Sequence, residues 1–105
     1  MKKEFVPYEQ ALALVLLGYT EYSELYKDDK EELFDMRTPN DAPCILYQQA
    51  FRWFREKYGL DNAVLKDRFV IETEDMLPYW FYGFKTYEEA ELTCLIKLIE
   101  IVKQK

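Results

Sequence analysis

Tyr79-Trp80-Phe81-Tyr82-Gly83-Phe84-Lys85-Thr86-Tyr87-Glu88-Glu89-Ala90 changes its period halfway along. From 79 to 84 an extended chain sends Tyr79, Phe81 and Gly83 to one side and Trp80, Tyr82 and Phe84 to the other. After that, Thr86 and Glu89 stand at the spacing of a capping box, where hydroxyl and carboxylate satisfy two orphan amides of a helix reciprocally. An aromatic strand that hands over to a capped helix places the chain in the α+β class.

The opening of that helix, Tyr87-Glu88-Glu89-Ala90, has two earlier counterparts, Tyr8-Glu9-Gln10-Ala11 and Tyr47-Gln48-Gln49-Ala50. Each lies in a segment of helical periodicity. The first segment runs from about Pro7 to Leu17 and stops at Gly18; the second runs from about Ala42 to Tyr58 and stops at Gly59. Asp41 suits the N-cap of the second, with Pro43 in its first turn, where a missing amide hydrogen does no harm. Tyr and the Ala three places on share a helix face. Two uses fit: a repeated ligand-contacting tyrosine, or a packing motif in which Ala allows close approach and Tyr covers the rim. Packing is the simpler, since a tyrosine with its polar tip at a core edge is ordinary.

Between the helices lie two hairpins. Tyr22 to Lys27 and Glu32 to Arg37 flank Asp28-Asp29-Lys30-Glu31; Arg68 to Thr73 and Tyr79 to Lys85 flank Glu74-Asp75-Met76-Leu77-Pro78, with Pro78 just ahead of its strand. The expected architecture is helix-hairpin-helix-hairpin-helix, with one four-stranded antiparallel sheet and the helices packed on it. At 105 residues the chain reads as a single domain. Within it, two related helix-plus-hairpin units (5–40 and 42–85) precede a closing helix (86–104).

Two segments carry more apolar surface than such a domain needs. On the last helix Leu92, Ile96 and Ile99 project to the side and back of a face already filled by Tyr87, Ala90, Cys94, Leu95, Leu98, Ile101 and Val102. On the last strand Trp80, Tyr82 and Phe84 oppose a second aromatic row. Trp80, Tyr82, Phe84, Leu92, Ile96 and Ile99 are therefore the candidate interaction surface, and a homodimer is one partner arrangement they suggest. Covered central elements are the other reading, and base stacking on sheet aromatics a third.

The net charge of −6 is local: from Glu21 to Asp41 eight acids face three bases. Asp28, Asp29, Glu31, Glu32 and Asp35 form a candidate acidic patch. A solvated hairpin whose charges keep its edge from pairing explains them, and steering of a basic partner, or imitation of a nucleic-acid backbone toward a DNA-binding protein, is the functional alternative. The run lacks the ligand spacing of a calcium loop. An acidic chain is a poor binder of phosphate backbones, although Arg52, Arg55, Lys57, Lys66 and Arg68 make a modest basic cluster.

Histidine is absent, Ser23 is the only serine and lies in no G-x-S-x-G context, and no phosphate loop or dinucleotide fingerprint occurs. The expectation is no enzyme, no cofactor and no metal. Cys44 and Cys94 are read as reduced structural thiols. The longest apolar run, Ala11 to Leu17, is too short for a membrane span. A cytoplasmic protein without membrane contact is expected.

Phe5-Val6-Pro7-Tyr8-Glu9 through Gly18-Tyr19, Leu46 through Tyr58, and Thr86 through Leu92 with Ile99 to Val102 resemble a group of small uncharacterised proteins of Bacteroides-type gut bacteria and their prophages. The resemblance covers both ends and the centre, and it implies a bacterial cytoplasm and a phage or mobile-element setting. It carries no activity, ligand or catalytic residue. The hairpins match less well: the related proteins tend to have glycine in the first turn, where this chain has Asp28-Asp29-Lys30-Glu31. The reading that results is a small accessory protein acting by protein–protein contact, with a nucleic-acid-related module as the alternative.

Overall fold

A computed structural model describes residues 5–20, 26–34, 41–73 and 76–104, with backbone alone at 34, 76 and 77. These residues form three helices and two antiparallel sheets. The chain divides into two compact units, Met1–Tyr47 and Gln48–Lys105.

The first unit holds helix α1 (Tyr8–Leu16) and strands β1 (Tyr26–Lys27), β2 (Leu33–Phe34) and β3 (Ala42–Pro43), in sheet order β2-β1-β3. The helix starts at the tyrosine of its repeat and buries Ala11 and Leu14. It ends in a Schellman arrangement: Tyr19 N donates to Leu14 O at 3.0 Å and Gly18 N to Val15 O at 3.0 Å, with Gly18 at φ 109°.

The β1–β2 connection lies where the sequence places it. Glu31 N donates to Asp28 O and Asp28 N to Glu32 O, and Glu31 takes a left-handed φ of 66°. This is a three-residue hairpin loop, a turn followed by one left-handed residue. The outer parts of its expected strands, 22–25 and 35–37, lie outside the described residues, as does Asp35.

The second helix departs from expectation. Residues 42–46 are extended rather than helical: β3 pairs with β1 (Tyr26↔Pro43, Lys27↔Ala42), Val6 N donates to Ile45 O at 2.7 Å, and Phe5 bridges Leu46. Asp41 therefore caps no helix. Pro43 forces the residue before it out of the helical region, and an edge strand tolerates its missing donor. Helix α2 (Tyr47–Tyr58) begins instead at the tyrosine of its own repeat.

The second unit adds β4 (Asp61–Val64), β5 (Arg68–Thr73), β6 (Met76–Tyr82) and α3 (Tyr87–Lys103) to α2. Its sheet is a meander, β4-β5-β6. The single four-stranded sheet is thus replaced by two sheets of three strands each, because β3 and β4 join the expected hairpins as third strands. Pro78 lies within β6, not ahead of it. The register steps from Ile71↔Tyr79 to Thr73↔Met76, three residues of β6 against two of β5, so Pro78 sits at a bulge on an edge strand.

Helix α3 packs on β4 and β5. Thr86 accepts from Glu89 N at 3.1 Å as its N-cap, and the Glu89 carboxylate accepts from Lys85 N at 3.4 Å, one residue beyond the Thr86 amide that a full capping box uses. Ala90, Glu91, Cys94, Leu95, Leu98, Ile99 and Val102 are buried, about half of the helix circumference at roughly 100° per residue. Ala11, Ala50 and Ala90 are all fully buried, whereas Tyr8 is half-buried, Tyr47 buried and Tyr87 exposed. The small residue is the constant part of the repeat, as close packing requires.

Gly59 ends α2 at φ 67°, donating to Arg55 O at 3.1 Å, and a Cβ placed there would meet nothing within 4 Å. Space is free and only the backbone objects. Gly59→Ala is expected to lower unfolding free energy by about 1 kcal/mol, the left-handed penalty for a residue with Cβ. Gly59→Asn should lose less than Gly59→Ala in urea titration, and equal losses would point to a cause other than φ.

Candidate functional site

Cross-strand register divides the β4-β5-β6 sheet into two faces. Asn62, Phe69, Ile71, Tyr79 and Phe81 share one, and Ala63, Arg68, Val70, Trp80 and Tyr82 share the other. The first face receives α3. Asn62 Nδ2 donates to Cys94 Sγ at 3.5 Å, Lys97 Nζ lies 5.9 Å from the Phe81 ring, and Phe69 stacks on Phe81 at 4.6 Å between centroids.

On the opposite face Val70 is buried directly across from Trp80 in the register, yet Trp80 itself is 43% exposed and Tyr82 64%. Their rings stack at 6.2 Å, 23° apart, and the Arg68 guanidinium lies 5.6 Å from the Tyr82 centroid. A short aromatic ladder with one cation beside it is therefore displayed on the sheet. At the strand's margin Tyr79 is 58% exposed toward the other side.

Phe84 does not continue the ladder. Gly83 takes φ 95°, which breaks the alternation, and Phe84 is half-buried with its ring 5.4 Å from Phe69. The three aromatic residues grouped by sequence periodicity separate into a pair and a core-side ring. On α3, Leu92 and Ile96 are half-buried flanks and Ile99 is a core residue. From the candidate surface the structure stacks Trp80 on Tyr82, while Leu92, Ile96 and Ile99 belong to α3. Sequence reasoning missed Arg68 as part of this ladder; the signal was its place at the start of a strand antiparallel to an aromatic one.

The acidic hairpin is partly internal. Asp28 Oδ1 accepts from Lys30 N and Glu32 N at 2.9 Å each, closing its own turn. Glu31 contributes one carboxylate oxygen to Lys27 Nζ at 2.9 Å and the other to Tyr8 N at 2.7 Å, at the start of α1. Asp29 and Glu32 are exposed. The basic cluster is interspersed with acids: Arg52 pairs with Glu56 at 3.8 Å, Arg55 with Asp61 at 3.9 Å and Arg68 with Asp67 at 3.1 Å.

Cavities open among the described residues of the second unit. One, of about 480 Å³, is lined by α2, β4 and the start of α3, including Gln49, Arg52, Asn62, Tyr87 and Glu91. Another, of about 330 Å³, lies between α3 and the sheet, with Ile71, Thr73, Phe81, Lys97 and Ile101 in its wall.

Neither Cys44 nor Cys94 is in a disulfide, and both are buried. Burial pushes the Cys94 thiol up to about 12, with the Asn62 hydrogen bond opposing and the nearby Glu91 charge adding to it. Burial likewise raises Cys44, against the lowering field of Lys27. A raised folded-state value stabilises the fold fully below the ordinary value near 9.0 and is lost as pH climbs toward 12. The unfolding free energy of the wild type is thus expected to fall relative to Cys94→Ala by about 1.4 kcal/mol per pH unit in that window. Urea titrations of both chains check this, and a difference that stays flat with pH would show a thiol that titrates normally.

Among the described residues no helix is long and apolar enough to cross a membrane. No family model, curated protein or solved structure matches this chain.

Proposed function

We propose that this chain is a small accessory protein of the cytoplasm that works by protein–protein contact through the open face of its β4-β5-β6 sheet. One observation carries the reading: Trp80 and Tyr82 stack on each other while about half of their surface remains in water, on a sheet whose other face is committed to α3. Leaving two large rings exposed forgoes roughly 1 kcal/mol or more of burial apiece. Exposed aromatic residues grouped with an arginine are the composition of interface centres. Arg68 supplies that arginine, 5.6 Å from the Tyr82 ring.

A photo-crosslinking phenylalanine analogue in place of Tyr82 tests this directly in the cell. Adducts of defined protein mass from position 82, absent from an analogue at exposed Glu56, are the expected result. Nucleic-acid adducts from position 82 would favour base stacking on the ladder instead, and no adduct at all would remove the surface from consideration.

A further inference from the structure

Resting on that reading, we infer that the partner is a second copy of this chain, joined by antiparallel pairing of the outer edge of β6 across a two-fold axis at Phe81. Backbone parity makes the case. Leu65 N donates to Arg68 O at 2.8 Å, so 65 and 68 form a hydrogen-bonded pair closing the two-residue β4–β5 turn. Because such pairs alternate in an antiparallel ladder, Val70 also turns its amide and carbonyl toward β4, while Phe69 and Ile71 turn theirs toward β6. Their register partners Phe81 and Tyr79 therefore bond inward, and Trp80 and Tyr82 direct N–H and C=O groups away from β5.

No described strand pairs with that side of β6. The earlier half of the edge is blunted, since Pro78 lacks an amide hydrogen and sits at the bulge. The later half is left with two complete donor–acceptor sets, at Trp80 and Tyr82. A two-fold through Phe81 matches Trp80 of each copy to Tyr82 of the other, and all four sets are satisfied reciprocally, as an isologous contact requires. The same register aligns Tyr79 with the partner's Gly83, an aromatic over a glycine, and extends each two-ring ladder into one of four rings. Residues 76–84 carry no charge, so two chains of net charge −6 meet without like charges opposed on this strand.

Sedimentation velocity of the full chain from micromolar to near-millimolar concentration tests the inference, together with amide hydrogen exchange over the same range. A reversible dimer is expected, with the Trp80 and Tyr82 amides becoming protected as concentration rises and the Tyr79 and Phe81 amides protected throughout. Tyr82→Pro removes an outward donor that the monomer does not use and should abolish the dimer. Should that variant fail to fold, Tyr82→Lys, at a largely exposed position, should weaken the dimer about tenfold or more with an unchanged circular dichroism spectrum. A monomer at every concentration overturns the inference, and so does a dimer in which the 80 and 82 amides exchange as fast as in the monomer. A monomer that still yields foreign protein adducts from position 82 overturns the second copy while leaving the interaction surface standing; a monomer without adducts removes both.

Discussion

Phe69→Ala is expected to destabilise the protein by about 3–5 kcal/mol, the range for truncating a buried phenylalanine. Natural domains of this size have roughly 5–15 kcal/mol in hand, so much of the native population is at stake. Phe69 has no exposed surface, lies on the sheet face that receives α3, and touches two further rings, stacking on Phe81 at 4.6 Å and tilting toward Phe84 at 5.4 Å. Removing it strips the ring's own transfer free energy and leaves a cavity whose walls are held by a strand pair and a helix. Each ring pair adds about 0.5–1.5 kcal/mol beyond burial. Phe69→Leu, which fills most of the space, should lose markedly less. Tyr82→Ala, at a position 64% exposed, should lose about 1 kcal/mol, chiefly its stacking on Trp80. Urea denaturation followed by far-ultraviolet circular dichroism orders the three, and a Tyr82→Ala loss equal to that of Phe69→Ala would mean that the ladder is core rather than surface.

Lys27→Ala follows, with an expected loss of about 3 kcal/mol. Lys27 is 2% exposed in the central strand of the first sheet; its ammonium donates to the Val6 carbonyl and pairs with Glu31, which in turn accepts from Tyr8 N. One side chain thus joins the segment preceding α1, the first amide of that helix and a hairpin turn. Its methylene stem is packed while its charged end is met by polar groups. Lys27→Met keeps the stem and discards the charge, and its loss should be the smaller, about 1–2 kcal/mol for one buried hydrogen bond and an ion pair whose carboxylate is half in water. Equal losses for Ala and Met would assign the whole effect to the polar contacts. A neutral Met variant would assign it to packing. Glu31 holds a left-handed backbone that glycine adopts without strain, so Glu31→Gly isolates the carboxylate: a net loss is expected, because the two contacts outweigh the backbone relief.

Much of the local structure was legible in the chain. All three helices start at the tyrosine of the Tyr-Glx-Glx-Ala pattern, and the alanine of each is buried, because helix starts are decided by a few neighbouring residues and by which small side chain permits close packing. Gly18 and Gly59 end their helices with positive φ, a requirement that only the residue itself imposes. The two strands that escaped notice, Ala42–Pro43 and Asp61–Val64, contain few residues with any preference for extended structure. They are strands because a neighbour offers its backbone. Pairing of 42–43 with β1 and of 45–46 with Val6 and Phe5 outweighed the helical period that continued through these residues.

The surface was less legible than the fold. Alternation along 79–84 predicted three aromatic residues on one side, but a glycine with positive φ sends Phe84 to the core, and whether a face is wet depends on which side the next helix takes. The burial of Lys27 beneath Glu31 had only an i, i+4 spacing to announce it, a spacing that on most chains marks a solvated pair. By itself the amino-acid sequence determined the class, the starts of α1 and α3, the glycine ends of α1 and α2, the turn of the first hairpin and the place where aromatic surface accumulates, since each follows from interactions within a few residues. The tertiary structure alone decided that the described strands form two sheets, that Trp80 and Tyr82 stay exposed on the face of the second away from α3, and that their amides point away from β5, since each depends on pairing between segments far apart in the chain.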